Sequence, residues 1–300
     1  MKKDDVIEKL NLDYLNIIGS KEYQAGFKKY NKKIKNIDDL FFKINRKIHL
    51  LKINDRGKNF NFSDDDCRKM NNYDSRKNRI VVYSCIVGVY DCLQEPLFKS
   101  DNIDYVMFTN CAFSSKIWNI KKIPENIMKL NNNILINRYI KFHPFEFFDE
   151  EYDYSIYVDG NILIVSDLSS MICLVNPKYG IAFHNHYARN CLYEEATYCM
   201  YNKKGDKKAI KSLISKYKTE GFPKKYGLVE APVIISNLHS DISMKIQKSI
   251  YNKLIDSKTY RDQLCIPYIL WKNNIKVAEI STLGQNIHYN YKIRSIRHKK

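Results

Sequence analysis

No Cys-x-x-Cys pair occurs among the eight cysteines, so a zinc ribbon and a thioredoxin-like redox site are both excluded. No Gly-x-Gly-x-x-Gly and no Walker loop occurs either, which leaves a dinucleotide fold and a P-loop NTPase without support. The opening Met-Lys-Lys-Asp-Asp lacks the apolar core of a signal peptide, and no window is apolar and long enough for a transmembrane helix. The expectation is a soluble, cytoplasmic chain. Acidic residues are also scarce beside basic ones: 33 against 50, a formal charge of +17. Such an excess points to an anionic partner, whether nucleic acid, a membrane surface or a phosphorylated substrate. The abundance of Asn, Ile, Lys and Tyr gives the lysines a second source, genomic bias. With 44% hydrophobic and 13% aromatic residues, wholesale disorder is excluded.

What is present is organised around Tyr154-Ser-Ile-Tyr-Val-Asp159-Gly160-Asn161-Ile-Leu-Ile. Two β-rich runs flank an Asp-Gly-Asn break, which places the break inside a sheet core. Gly160 permits close backbone approach, and Asp159 and Asn161 project oxygens from a strand end. That arrangement suits a hard divalent cation and a diphosphate. A hairpin turn is the other reading of Asp-Gly.

Residues 1 to about 75 read as a helical segment followed by a linker. Lys21 to Leu51 carries an apolar stripe through Phe27, Ile34, Ile37, Leu40, Phe41, Ile44, Ile48 and Leu51. Asn59 to Lys77 reads as the linker, with Asp64-Asp65-Asp66 as a solvated turn. A second unit, 76–300, opens at Ile80–Val87, a buried-strand run ending at Gly88. Leu93 to Phe98 is expected to form a brief turn or helix before the next strand, Asp104–Asn110. Strand, connection, strand is the start of an open α/β sheet, whose ligands bind at the carboxyl ends of the strands. Gly88, Tyr90, Asp91, Thr109 and Asn110 would lie there.

Asn131 to Phe142 reads as a helix stopped by Pro144, with Arg138 and Lys141 on one face. Two cations aimed at one place suit a diphosphate; a solvated face is the alternative. His184 and His186 alternate as on a strand, and metal binding, substrate hydrogen bonding and structural use all remain open for them. Ala188 to Tyr201 looks helical and carries Arg189, Glu194 and Glu195, candidates for sugar or acceptor contacts or an ordinary ion-pair network. Lys203 to Lys225 sets nine lysines against Asp206 and Glu220, yet lacks the aromatics of a nucleic-acid stacking surface. Asp241 is expected to cap a helix running to Ile255, and Asp262 to open another. The tail, with His288 and His298, could clamp over a phosphate site.

The order of these motifs resembles the nucleotide-sugar glycosyltransferases of the GT-A class. It is most similar to a bacterial and plant family catalogued as a domain of unknown function and regarded as glycosyltransferase-like. The matching residues are Tyr83 to Asp91, Phe108-Thr-Asn110, Arg138-Tyr-Ile-Lys141, Tyr157-Val-Asp159-Gly-Asn161, His184 to Glu195 and Arg261-Asp-Gln263-Leu, together spanning Arg79 to Trp271. The resemblance implies an α/β, Rossmann-like GT-A fold with a mostly parallel central sheet, plus the N-terminal helical segment. It implies a base and ribose shelf at Gly88, Tyr90, Asp91, Thr109 and Asn110, and diphosphate contacts from Arg138 and Lys141. Asp159 takes the first place of an Asp-x-Asp signature that binds ribose and Mn2+ or Mg2+. The second place holds Asn161, a neutral ligand that lowers cation affinity; His288 is the further candidate ligand. Asp262 is the expected acceptor base, with Glu195 second, and His184, His186, Arg189 and Glu194 form the expected acceptor side. The implied partners are a nucleotide-sugar donor and a glycan or glycoconjugate acceptor, with peripheral contact to an anionic membrane surface and no specific nucleic acid. A basic nucleic-acid-binding protein and an inactive transferase-shaped module are the competing readings.

Overall fold

The computed structural model describes residues 62–88, 90–148, 151–296 and 298. The apolar stripe of residues 21–51 lies outside them. The elements are α1 (Asp64–Asn71), β1 (Ile80–Ile86), β2 (Ile103–Thr109), β3 (Asn119–Lys122), α2 (Glu125–Met128), α3 (Asn133–Phe142), β4 (Tyr154–Val158) and β5 (Ile162–Ile164). They continue with β6 (Ile181–Asn185), α4 (Leu192–Tyr201), α5 (Lys207–Thr219), β7 (Val229–Asn237), α6 (Asp241–Ser257), α7 (Asp262–Lys272) and β8 (Ile293–Ser295).

Six strands form the central sheet in the order β3-β2-β1-β4-β7-β6. β1 pairs parallel with both β2 and β4, and β2 with β3; β7 alone runs against its two neighbours. The mostly parallel α/β sheet expected from the sequence is therefore present. β1 is buried at all seven positions, as its unbroken Ile-Val-Val-Tyr-Ser-Cys-Ile run requires of a strand covered on both faces. Tyr83, Tyr157, Ile136, Ile140 and residues of α4 to α7 fill one face. Phe62, Met70, Ile164, Met171 and Ile293 fill the other.

The chain leaves β1 towards β2 and β3, then returns to the opposite side of β1 with β4. That reversal makes the carboxyl ends of β1 and β4 a topological switch point, the place where α/β sheets bind ligands.

Four local expectations are corrected. Asp159-Gly160-Asn161 is no hairpin: β4 belongs to the central sheet, while β5 pairs with β8 in a separate two-stranded sheet. The break therefore hands the chain from one sheet to another through a turn closed by Ile162 N–H to Asp159 O at 2.8 Å. The expected linker holds α1, because Ser63 and Asp66 form a capping box and Phe62 and Met70 are buried. Its three aspartates occupy the first helical turn, where the dipole favours them. Ser240, not Asp241, caps α6 by accepting from Ser243 N–H. Leu93–Phe98 forms no helix.

Candidate functional site

Four charged side chains from three separated segments meet at the carboxyl end of β4. α3 carries Arg138 and Lys141 on one face, and Asn132 caps it by accepting from Ile134 and Leu135 N–H. Asn137 on the same helix donates to Cys85 O of β1 at 2.8 Å, fixing the helix against that strand. Asp159 follows β4 directly, and Asp262 opens α7.

Arg138 Nε lies 2.7 Å from Asp262 Oδ1, and Lys141 Nζ lies 2.8 Å from Asp262 Oδ2. The same ammonium is 3.3 Å from Asp159 Oδ1. Lys141 is 1% exposed and sits 5.0 Å from the Tyr157 ring centroid, whereas the Asp159 side chain is 29% exposed and Arg138 19%. The expected diphosphate pair is thus split. Arg138 and Asp159 reach solvent; Lys141 is enclosed behind them. Burial pushes the Asp262 carboxyl up, but Arg138, Lys141 and Arg261 outweigh it and hold the group at about 2.

Gly160 keeps the turn close to β1: a Cβ there would come within 2.7 Å of Ile86 and 3.5 Å of Asp91 Oδ2. Gly88, at φ 67°, donates to Asn110 Oδ1 at 2.7 Å. Thr109 is buried and accepts from Cys111 N–H. Tyr90 is exposed, and Asp91 binds His298 Nδ1 at 2.8 Å. The tail does return over this end. Asn161 Nδ2 donates to Ile296 O, and Ile296 N–H donates to Asn161 O.

The expected acceptor residues form a second cluster, with exceptions. His186 Nδ1 accepts from the backbone N–H groups of Ala188 and Arg189, both at 3.1 Å, and its Nε2 lies 3.2 Å from Arg189 Nη2. That Nε2 lies 3.6 Å from Glu195 and 4.0 Å from Glu230. Arg189 Nε pairs with Glu195 Oε2 at 2.5 Å. Burial raises the Glu195 carboxyl, but His186 and Arg189 bring it down to about 2. Glu194, one helical step away, is exposed. His184 does not join: it is fully enclosed, 3.1 Å from Asn290 Nδ2, and burial alone lowers its pKa to about 3. His288 packs edge-on to Tyr187, with ring centroids 4.9 Å apart.

Glu230 is the residue that sequence reasoning missed. It stands opposite His184 where β6 and β7 pair, and its Oε2 is buried with no hydrogen-bond partner. One carboxylate inside the apolar Leu228–Ile235 run was the available signal.

The sequence profile of the TOD1/MUCI70, glycosyltransferase-like domain matches residues 41–298. No curated protein matches the chain. Among solved structures, the apo WbbM bifunctional glycosyltransferase is 10% identical with a TM-score of 0.40, covering 64% of this chain and 37% of its own. The galactosyltransferase LgtC, in complex with donor and acceptor sugar analogues, is 12% identical with a TM-score of 0.38, covering 63% and 69%. Apo mouse xyloside xylosyltransferase 1 is 9% identical with a TM-score of 0.39, covering 72% and 97%.

Proposed function

The chain belongs to the TOD1/MUCI70 glycosyltransferase-like family, and from that premise we propose that it moves a sugar from a nucleotide-sugar donor to a glycan or glycoconjugate acceptor. The observation that carries the finer reading is the convergence of Arg138, Lys141, Asp159 and Asp262 at the carboxyl end of β4. Breaking the bond between sugar and diphosphate leaves negative charge on the phosphate oxygen, and fixed cations in a partly dry site stabilise it. Arg138 is the accessible one. Its Nε lies against Asp262 and one Nη1 hydrogen goes to Asn137 Oδ1 at 2.6 Å, which leaves Nη2 and the second Nη1 hydrogen for a phosphate. Asp159, at the solvent boundary, accepts ribose or sugar hydroxyls. Gly88, Tyr90, Asp91, Thr109 and Asn110 form the base and ribose shelf. His186, Arg189, Glu195 and Glu230 border the acceptor side.

Neither expected base suits proton abstraction. Asp262 is shared between two cations and Glu195 is paired with Arg189, and carboxyls held at about 2 are weak bases. We assign both to positioning: Asp262 holds Arg138 and Lys141, and Glu195 holds Arg189 and His186.

A divalent cation does not fit the residues present. Asp159 Oδ1 faces an ammonium, the Asn161 amide holds the tail through Ile296 O, and His288 packs on Tyr187. Among the described residues, no group of three or more His, Cys, Asp or Glu is placed to hold a metal ion.

No described helix is long and apolar enough to cross a membrane. α5 buries Ile210, Leu213 and Tyr217 and carries lysines between them, a surface suited to peripheral contact with anionic lipid.

A thermal-shift panel of nucleotide sugars tests the reading. One donor should raise the midpoint, and Arg138→Ala should abolish the rise. No response to any donor, with salt-sensitive binding to DNA instead, would favour a nucleic-acid partner.

A further inference from the structure

We propose that this protein binds the donor diphosphate without a divalent cation, because Lys141 and Arg138, both locked to Asp262, hold the charge that the cation would supply. The inference rests on the donor reading above.

In an Asp-x-Asp site, two carboxylates face one divalent ion, and the diphosphate is drawn to the ion. Here the second carboxylate of the motif is replaced by Asn161, and the carboxylate pair is Asp159 with Asp262. Two monovalent side-chain cations set against these two carboxylates reproduce the charge of one divalent ion held by two. The cations are built in. Lys141 Nζ bridges Asp262 at 2.8 Å and Asp159 at 3.3 Å, and Arg138 Nε sits 2.7 Å from the other oxygen of Asp262. A metal ion brought to Asp159 Oδ1 would lie beside a buried ammonium, and like charges a few ångströms apart in a low-dielectric setting repel strongly. Lys141 cannot withdraw easily, because its backbone carbonyl accepts from the buried Tyr83 hydroxyl at 2.8 Å and its side chain is enclosed.

Asn161 fits the same account. Its amide Nδ2 donates to Ile296 O at 3.0 Å, so the side chain fastens the β8 segment across the end of β4. An aspartate there could not donate and would place a second carboxylate at the turn with no ammonium in contact. The motif departs from Asp-x-Asp at the position where its side chain has a hydrogen-bond donor to give.

The test is calorimetry with a panel of nucleoside diphosphates (UDP, GDP, ADP and CDP), with EDTA and separately with manganese. The expected result is one tight binder whose dissociation constant agrees within about twofold between the two conditions. The phosphate increment, the ratio of nucleoside to nucleoside diphosphate dissociation constants, isolates the contribution of the cations. In EDTA it should fall at least tenfold in Arg138→Ala and in Lys141→Met. It should not fall in Asp159→Asn, which weakens nucleoside and nucleoside diphosphate alike through the ribose, removes the carboxylate 3.3 Å from Lys141 and leaves both cations. Asp159 is partly exposed, so that variant keeps the test decisive should Lys141→Met fail to fold. Binding at least tenfold tighter with manganese, or an increment lost in Asp159→Asn, would overturn the inference while leaving the donor reading intact. Binding of no nucleoside diphosphate in either condition would overturn both.

Discussion

Lys141 and Asp262, 121 positions apart in the chain, meet at 2.8 Å in the interior. Their contact joins α3 to α7 beneath Asp159, and the arrangement of the site depends on it. Removing one partner of a buried pair leaves an uncompensated charge, which costs about 3–5 kcal/mol. Asp262→Asn strands two cations, so it should lower the thermal midpoint markedly, whereas a catalytic base exposed in a cleft would be replaced with little effect on stability. An unchanged midpoint with lost turnover would return the base role to Asp262. Calorimetric unfolding of the variant beside the native chain decides between them.

Arg138→Ala should weaken nucleoside diphosphate binding and leave the bare nucleoside almost unaffected. A charge-assisted hydrogen bond contributes about 1.5–3 kcal/mol, or roughly ten- to a hundredfold in affinity. Competition binding reads this directly. Equal losses for both ligands would show that Arg138 supports the fold and not the phosphates.

His184 predicts how stability depends on pH. Its folded pKa is depressed to about 3 by burial, below the usual 6.5, so the unfolded chain takes up the proton first. Stability is therefore full above about pH 6.5 and falls as pH drops, by about 1.4 kcal/mol per unit from this group. Asp262 and Glu195 are depressed as well, so their contributions hold above about pH 4 and are lost as pH falls towards 2. Urea titrations from pH 7 to 4 should show the loss, and His184→Gln, though less stable at pH 7, should flatten the slope. An identical slope in the variant would place the titration elsewhere.

Glu194 and Glu195 adjoin in sequence and should behave in opposite ways. Glu195 is buried against Arg189 and His186, so Glu195→Gln should destabilise the protein by about 3–5 kcal/mol. Glu194 is exposed, and Glu194→Gln should change stability by less than about 0.5 kcal/mol. Chemical denaturation of both variants settles the assignment.

Much of the sheet was legible because its signals are local. Ile80–Ile86 is apolar but for Ser84, Pro144 ends α3, and Arg138 and Lys141 share a face by helical spacing alone. What was not legible depends on long-range pairing. The sequence shows an Asp-Gly-Asn break but not that β5 leaves the sheet to join β8, some 130 residues later. Helical spacing made Lys141 equal to Arg138; only the approach of Asp262 and Tyr157 shows that one is enclosed and the other open. His184 and His186 read alike in the chain, yet the irregular pairing after Phe183 and the end of β6 at Asn185 send them to different surroundings. The acidic triplet at 64–66 misled because a capped helix start and a solvated turn draw on the same residues.

The most direct test of the account is release of nucleoside diphosphate from a panel of nucleotide sugars, followed with native protein and with Arg138→Ala. One donor should be turned over by the native chain in EDTA, with the rate falling at least a hundredfold in the variant. Equal release by both proteins, or none from any donor with or without manganese, would contradict it.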